Sequence, residues 1–203
     1  PDGSAVASVT TILDSTKDKT HLIEWRKRVG EQNAVRITKE ASGIGTRMHK
    51  YIEDYIANGK WNEPGSNPYA QQAFKMAQVV HENALKDVNE IWGSEVGLYF
   101  PKIYAGTTDC VGEYKGEPCI IDFKQTNKPK KKEWVEDYYM QIAAYAMAHD
   151  LSRSTRTATA PPRASVSRTA YLSTTCTNPL CSPTITRLTS TKAGSPTAPR
   201  SQR

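Results

Sequence analysis

The sequence is poor in cysteine, with four in 203 residues, which is too few for a disulfide-stapled scaffold. It has no apolar run near the ~18 residues of a membrane-spanning helix, and its mean hydropathy is −0.62. No basic stretch followed by an apolar core opens the chain, so a secretory signal is not expected. Residue 1 is Pro rather than Met, which leads us to expect a fragment or a processed product. The most informative absence is acid. Residues 151–203 hold seven Arg, one Lys and no Asp or Glu, so residues 1–150 carry 19 bases and all 21 acids. The formal charge of +6 therefore describes a mildly acidic domain followed by a basic tail. An argument from overall charge to nucleic-acid binding would rest on the tail alone.

That tail has nine Ser, twelve Thr and six Pro, with apolar residues at no helical period. Stretches such as Thr157-Ala158-Thr159-Ala160-Pro161-Pro162-Arg163 bury too little surface to offset chain entropy. The division expected is a folded domain over 1–150 and a basic Ser/Thr/Pro-rich tail over 151–203, either disordered or the product of a shifted reading frame. Short strands near 166–172 and 184–188 are the alternative within it.

The first 150 residues read as globular sequence. Apolar spacing predicts helices over 18–30, 31–41, 43–58 and 67–92. Strands follow over 94–100, 104–114 and 117–124, then a helix over 133–149. The fold class is α+β: a helical N-terminal part, a three-stranded meander, and a covering helix. No internal repeat is visible.

Lys115-Gly116 is the expected turn between the last two strands, with Gly supplying a positive φ. Unless the register slips at Gly112, that turn sets Asp109 opposite Asp122. Like charges facing each other across a sheet repel, and a cation between them removes the conflict, because hard divalent ions take carboxylate oxygens. Lys124 lies two residues beyond Asp122 and so on the same face. Two carboxylates, a cation and an ammonium on one sheet face suit phosphodiester hydrolysis. The plain alternative is a surface Asp–Lys pair, but Ile120, Ile121 and Phe123 mark the strand as buried, and buried charges need partners. His49 and Glu53, four residues apart, share a helix face opposite Met48, Ile52 and Ile56. Histidine is a common metal ligand, although a His taken alone is more often a surface or capping residue. Gln141 and Tyr145 share a face of the last helix with Trp134 and Tyr138, a pattern that by itself means core or helix packing.

Taken in order, Gly45-Thr46-x-x-His49-x-x-x-Glu53, Gly106-Thr107-Thr108-Asp109, Ile120-Ile121-Asp122-Phe123-Lys124 and Gln141-x-x-x-Tyr145 resemble the RecB-type branch of the PD-(D/E)xK nuclease superfamily. Ser8-Val9-Thr10-Thr11-Ile12-Leu13 and Trp25-Arg26-x-Arg28 also look like phage exonucleases of that branch and the mitochondrial genome maintenance exonuclease group. The resemblance covers roughly residues 8–149. It implies a restriction-endonuclease-like core and a metal-dependent DNA exonuclease acting on single strands or free ends in phage-type recombination or replication. It further implies Mg²⁺ or Mn²⁺ on Asp109, Asp122, His49 and the Phe123 carbonyl, with Glu95 as a further candidate ligand. Lys124 would be the catalytic lysine, Glu53 a supporting residue, and Gln141 and Tyr145 would orient the site or contact DNA. The Lys128, Lys130, Lys131 and Lys132 loop is expected to touch DNA phosphates; a solvated loop or a targeting signal is the other reading. The setting implied is the cytoplasm of a phage-infected host, with no membrane attachment.

Two positions depart from the family pattern. Gln125 stands where Thr or Ser is usual, and the tail offers no evident closing strand after the Gln–Tyr helix. Some members of the wider family carry an iron–sulfur cluster. Here Cys110 and Cys119 lie within the hairpin and Cys176 and Cys181 in the tail, so no cluster is expected, and the first two read as small buried hydrophobes. The chain has no GxxxxGK[ST] loop, so a helicase or recombination partner would be a separate chain. The alternatives to the exonuclease are a non-catalytic nucleic-acid-binding protein on the same fold, and an endonuclease or junction resolvase.

Overall fold

The computed structural model describes residues 5–126, 135–154, 168–175 and 183–188, with Arg153, Ser154 and the last two segments as backbone only. Trp134, Cys176, Cys181 and the lysines 128 and 130–132 lie outside the described residues. No described helix is long and apolar enough to cross a membrane.

A short strand β1 (Ala7–Ser8) leads into α1 (Val9–Thr16), where the Ser8 hydroxyl caps the helix by accepting from the Thr11 N–H at 3.0 Å. Neither element was expected from the pattern alone. Helix α2 (Thr20–Val29) ends at Gly30, whose φ of 84° turns the chain into α3 (Glu31–Asn58). The two helices expected over 31–41 and 43–58 are thus one. Gly43 and Gly45 each cost an exposed helix about 1 kcal/mol relative to Ala. Ile44, Met48 and Ile52 form an unbroken stripe that is at most 5 % exposed, and burying side chains of this size stabilises by about 1.5–3 kcal/mol each. The stripe outweighs the glycines, and the helix runs through.

Helix α4 (Pro68–Asn83) starts at Asn67, whose side chain accepts from the N–H groups of Tyr69 and Ala70. It stops nine residues short of the expected end. A single 3₁₀ turn (Leu85–Asp87) follows, and β2 (Val88–Phe100) begins where a helix was expected to continue. The reason is pairing: Val88, Glu90 and Ile91 lie opposite Tyr114, Glu113 and Gly112 of β3 (Tyr104–Tyr114). The slip that Gly112 permits does occur, but on the β2 side of β3. Ile91 pairs with Gly112 and Gly93 with Val111, leaving Trp92 as an extra residue. A Cβ at Gly112 would sit 2.2 Å from the Glu90 carbonyl oxygen, so the bulge requires glycine there.

The β3–β4 hairpin, with β4 over Glu117–Thr126, keeps the expected register from Tyr114↔Glu117 to Cys110↔Ile121. Lys115 (φ 52°) and Gly116 (φ 79°) both turn left-handed, as a two-residue hairpin turn demands. β1 runs parallel to β3 at Tyr104 and Ala105.

The closing strand taken as missing is present. After α5 (Glu136–Ser154), β5 (Arg168–Thr175) pairs in parallel with β4 from Cys119↔Arg168 to Thr126↔Thr175, and β6 (Pro183–Leu188) pairs antiparallel with β5. Thr-rich composition read as disorder, yet threonine is β-branched and favours strands beside a buried neighbour. The result is an open mixed sheet in the order β1-β3-β4-β5-β6, with β2 on the other edge of β3. Alternate residues of β4 serve two cores. Cys119, Ile121 and Phe123 pack against α3 and α4, while Ile120 packs with Ile142, Tyr145 and Val9 of α5 and α1. The chain is α+β, with helices on both faces of the sheet.

Candidate active site

The site forms where β3 and β4 part. Their ladder ends at Cys110↔Ile121, and side chains carry the contact one step further. The Thr108 hydroxyl, fully buried, donates to the Ile121 carbonyl at 3.1 Å, and the Phe123 N–H donates to Asp109 Oδ2. The gap lets α3 reach the strands from one layer and α5 from the other.

From α3, His49 Nδ1 comes within 3.1 Å of Asp109 Oδ1, and its ring meets Phe123 edge-on. From β2, Glu95 joins them: one ligand atom each from His49, Glu95 and Asp109 lie within 4.8 Å of one another. Glu95 is there because its backbone is bent. Its φ is 49°, and its neighbours Ser94 and Val96 pair with Cys110 and Thr108, which sets Glu95 opposite Asp109. A non-glycine residue in this region costs about 1–3 kcal/mol, and such strain collects at functional sites.

The open side of this cluster is a cleft of about 450 Å³ walled by Gly45, Thr46, His49, Lys50, Glu53, Glu95 and Asp109. Glu53 thus stands at the cleft, held by Lys50 at 3.3 Å. Gly45, Thr46 and Lys50 were given no role from sequence, although the spacing of Gly45 and Thr46 four and three residues before His49, and of Lys50 three before Glu53, was the available signal.

Asp122 lies deeper, 2 % exposed. Its Oδ2 forms an ion pair with Lys124 Nζ but makes no aligned hydrogen bond, and Gln141 Nε2 donates to its Oδ1 at 3.5 Å. Gln141 also donates to the Tyr145 hydroxyl at 3.0 Å, and Lys124 Nζ sits 5.8 Å from the Tyr138 ring centroid. Gln141 and Tyr145 are 6 % and 2 % exposed, so they present almost no surface to a ligand and instead brace Asp122. Tyr145 lies so close to Gly106 that a Cβ there would come within 2.5 Å of its ring. Phe123 contributes its N–H to Asp109, and its side chain is core.

Charge follows this layout. Burial pushes the Asp122 carboxyl up to about 6, against the pull of Lys124 and with Asp109 adding to the rise. Burial lowers His49, but the hydrogen bond and charge of Asp109 outweigh it and hold the imidazole above its usual value. Burial and then Asp109 raise Glu95. Cys110 is pushed up to about 12 by burial first, which leaves it a packing residue, like its buried neighbour Cys119.

Two carboxylates and one imidazole fit a divalent cation that takes mixed oxygen and nitrogen donors. Ligands that share one ion at about 2.1–2.4 Å stand no more than about 4.8 Å apart, as the three donor atoms of His49, Glu95 and Asp109 do. If Glu95 is strained in order to ligate, Glu95→Gly should raise the melting temperature in chelator, since glycine accepts the positive φ. The same change should shrink the stabilisation given by Mn²⁺. Thermal melts with and without Mn²⁺ test this, and an undiminished Mn²⁺ shift would remove Glu95 from the ligand set.

Fold and cluster together define a class: an α+β protein with a histidine–carboxylate cleft at a splayed strand pair, backed by a buried Asp–Lys pair. The chain is similar to mitochondrial genome maintenance exonuclease 1 of Xenopus tropicalis, 32% identical over 162 residues, covering 71% of this chain and 44% of that protein. The Homo sapiens protein of the same name is 30% identical, covering 74% and 46%, and that of Mus musculus 28%, covering 72% and 46%. The chain spans a little under half the length of these relatives. No family model matches it.

Proposed function

We propose that the chain is a divalent-metal-dependent DNA exonuclease of the RecB-type, restriction-endonuclease-like group, acting on single strands or free ends. The observation that carries this reading is the convergence of His49, Glu95 and Asp109 within 4.8 Å beside the Asp122–Lys124 pair. The exonuclease name of the relatives supports it. His49, Glu95 and Asp109 would hold Mg²⁺ or Mn²⁺, with Asp122 close behind. Such an ion neutralises phosphate charge and lowers the pKa of bound water. Asp122 fixes the Lys124 ammonium, which stabilises negative charge developing on the phosphate. Gln141 and Tyr145 hold Asp122 in place, and Glu53 with Lys50 shapes the cleft mouth. The lysines 128 and 130–132 remain candidates for phosphate contacts. The relatives carry a mitochondrial name, so a phage-host setting draws no support from them.

End-labelled linear and circular single-stranded DNA, each with Mg²⁺, Mn²⁺ or chelator, test the reading. Linear DNA should be consumed only with metal, and circular DNA should survive. Cleavage of the circle would make the chain an endonuclease. No cleavage under any condition would leave a nucleic-acid-binding fold without activity.

A further inference from the structure

A second depression, of about 260 Å³, lies toward the N-terminal half of α3 from the cleft and is walled by Arg36, Lys39, Glu40, Gly43, Arg47 and Tyr69. Three bases face one acid there, on a 150-residue stretch whose acids outnumber its bases overall. Arg36 is paired with Glu40 at 3.1 Å. Arg47 is seated by a glycine: its Nη1 donates to the Gly43 carbonyl at 3.2 Å, and a Cβ on Gly43 would stand only 3.2 Å from that nitrogen. Tyr69, at the start of α4, is 42 % exposed.

Both depressions are walled by α3. Gly43 lines one and Gly45 the other. By helical spacing, the strip between them carries Ser42 and Thr46, flanked by Lys39 and Lys50, and all four are exposed. Small side chains there leave a low crossing edged by positive charge. From Arg36 to Arg47 the helix rises about 16 Å, which is long enough to follow several phosphates. Exposed aromatics beside basic grooves bind single strands by base stacking, and the bases track the backbone.

We propose that this groove is a second binding segment for single-stranded DNA, with Lys39 and Arg47 contacting phosphates and Tyr69 stacking a base, and that the strand reaches the cleft over Ser42 and Thr46. The proposal takes its ligand from the nuclease reading, but its test is independent of cleavage. Fluorescence anisotropy of labelled oligo(dT) of ~20 nucleotides, titrated with the full chain in EDTA, measures binding without hydrolysis. Lys39→Gln with Arg47→Gln should weaken binding about tenfold and flatten the log K against log salt slope by about 1.4, two contacts at ~0.7 each on single strands. Tyr69→Ala should weaken it at least about fivefold, and Tyr69→Phe should restore it. Lys60→Gln, on the loop beyond α3, is the control for general surface charge and should change neither quantity. All of these positions are exposed except Arg47's glycine seat, so folding is checked by the melting temperature. Wild-type affinity and slope in the double variant, or an equal loss in Lys60→Gln, would overturn the groove while leaving the nuclease reading intact. A wild-type chain that binds no oligo(dT) would overturn the groove outright, and the nuclease reading would then stand or fall on the cleavage assay.

Discussion

Asp122→Asn should lower DNA hydrolysis by about 10³-fold or more, the scale of losing a preorganised charge at a reacting centre, while the affinity for DNA in chelator stays within about twofold. The asymmetry follows from position. Asp122 is 2 % exposed and is not a wall of the cleft, so a bound strand has little contact with it to lose. Its work is internal: it fixes Lys124 and is itself held by Gln141. Asparagine keeps the shape but has one oxygen for two donors, so its NH₂ group faces either Gln141 or Lys124, and in both cases the Lys124 ammonium loses its counter-charge. The pH profile supplies a second check. The carboxyl is raised to about 6 by burial first, so it keeps its proton to that pH, and the charged form is complete only a unit or two above. Wild-type turnover should therefore fall as pH drops through about 6, with His49, also raised, adding to the fall as its proton competes with the cation. For stability the sign is reversed. In chelator, neutral Asp122 favours the fold below its unfolded value, and that contribution is lost as pH rises through about 6. Undiminished cleavage by Asp122→Asn would sink the assignment of the buried pair.

How much of this was legible in the sequence depended on how local each feature is. The β3–β4 register could be read from Lys115-Gly116, because a two-residue turn of two left-handed residues fixes pairing on both sides. Extended one step, that register set Asp109 opposite Asp122, although the ladder stops at Cys110↔Ile121 and Asp109 accepts from the Phe123 N–H instead; helical spacing offered His49 as a candidate. Features decided by distant packing could not be read. The single α3 depends on Ile44, Met48 and Ile52 finding a partner layer, which the two glycines conceal. Val88 to Trp92 continue a helical pattern and become strand only because β3 is there to pair with them. Glu95 was visible as an acid at the start of a strand, but its left-handed backbone was not, since nothing in Ser94-Glu95-Val96 requires it. Gln141 and Tyr145 were legible as a pair on one helix face, while their burial behind Asp122 was not. The closing strand was outweighed by composition: Ser, Thr and Arg in numbers signal disorder, so the strands near 166–172 and 184–188 stood only as the alternative, and alternation in Arg168-Thr169-Ala170-Tyr171-Leu172 gains its meaning against β4.

That closing strand gives the second large effect. A chain ended after Ser154 should lose cooperative unfolding altogether. β4 carries Asp122 and Lys124, and its Ile120, Ile121 and Phe123 are 0–2 % exposed. It has β3 on one side only as far as Ile121, where that ladder ends, and β5 on the other from Cys119 to Thr126. Without β5, the stretch from Asp122 to Thr126 has no strand on either side. The backbone groups of this stretch that pair with β5 would lose their partners in a setting where each unsatisfied group costs about 1–3 kcal/mol. Several such losses match the 5–15 kcal/mol that holds a typical domain together, so the deficit is not one the rest of the fold can absorb. The site would go with it, because the Phe123 N–H that pins Asp109 belongs to this unsupported stretch. Urea unfolding followed by near-UV circular dichroism should show a sloping, non-cooperative change in the truncated chain and a sigmoid in the full one. Hydrogen exchange should find the amides of 122–126 protected only when β5 is present. If the truncated chain unfolds at the same urea concentration as the full chain and protects those amides equally, β5 is not the partner that β4 requires, and the domain closes by other means before residue 155.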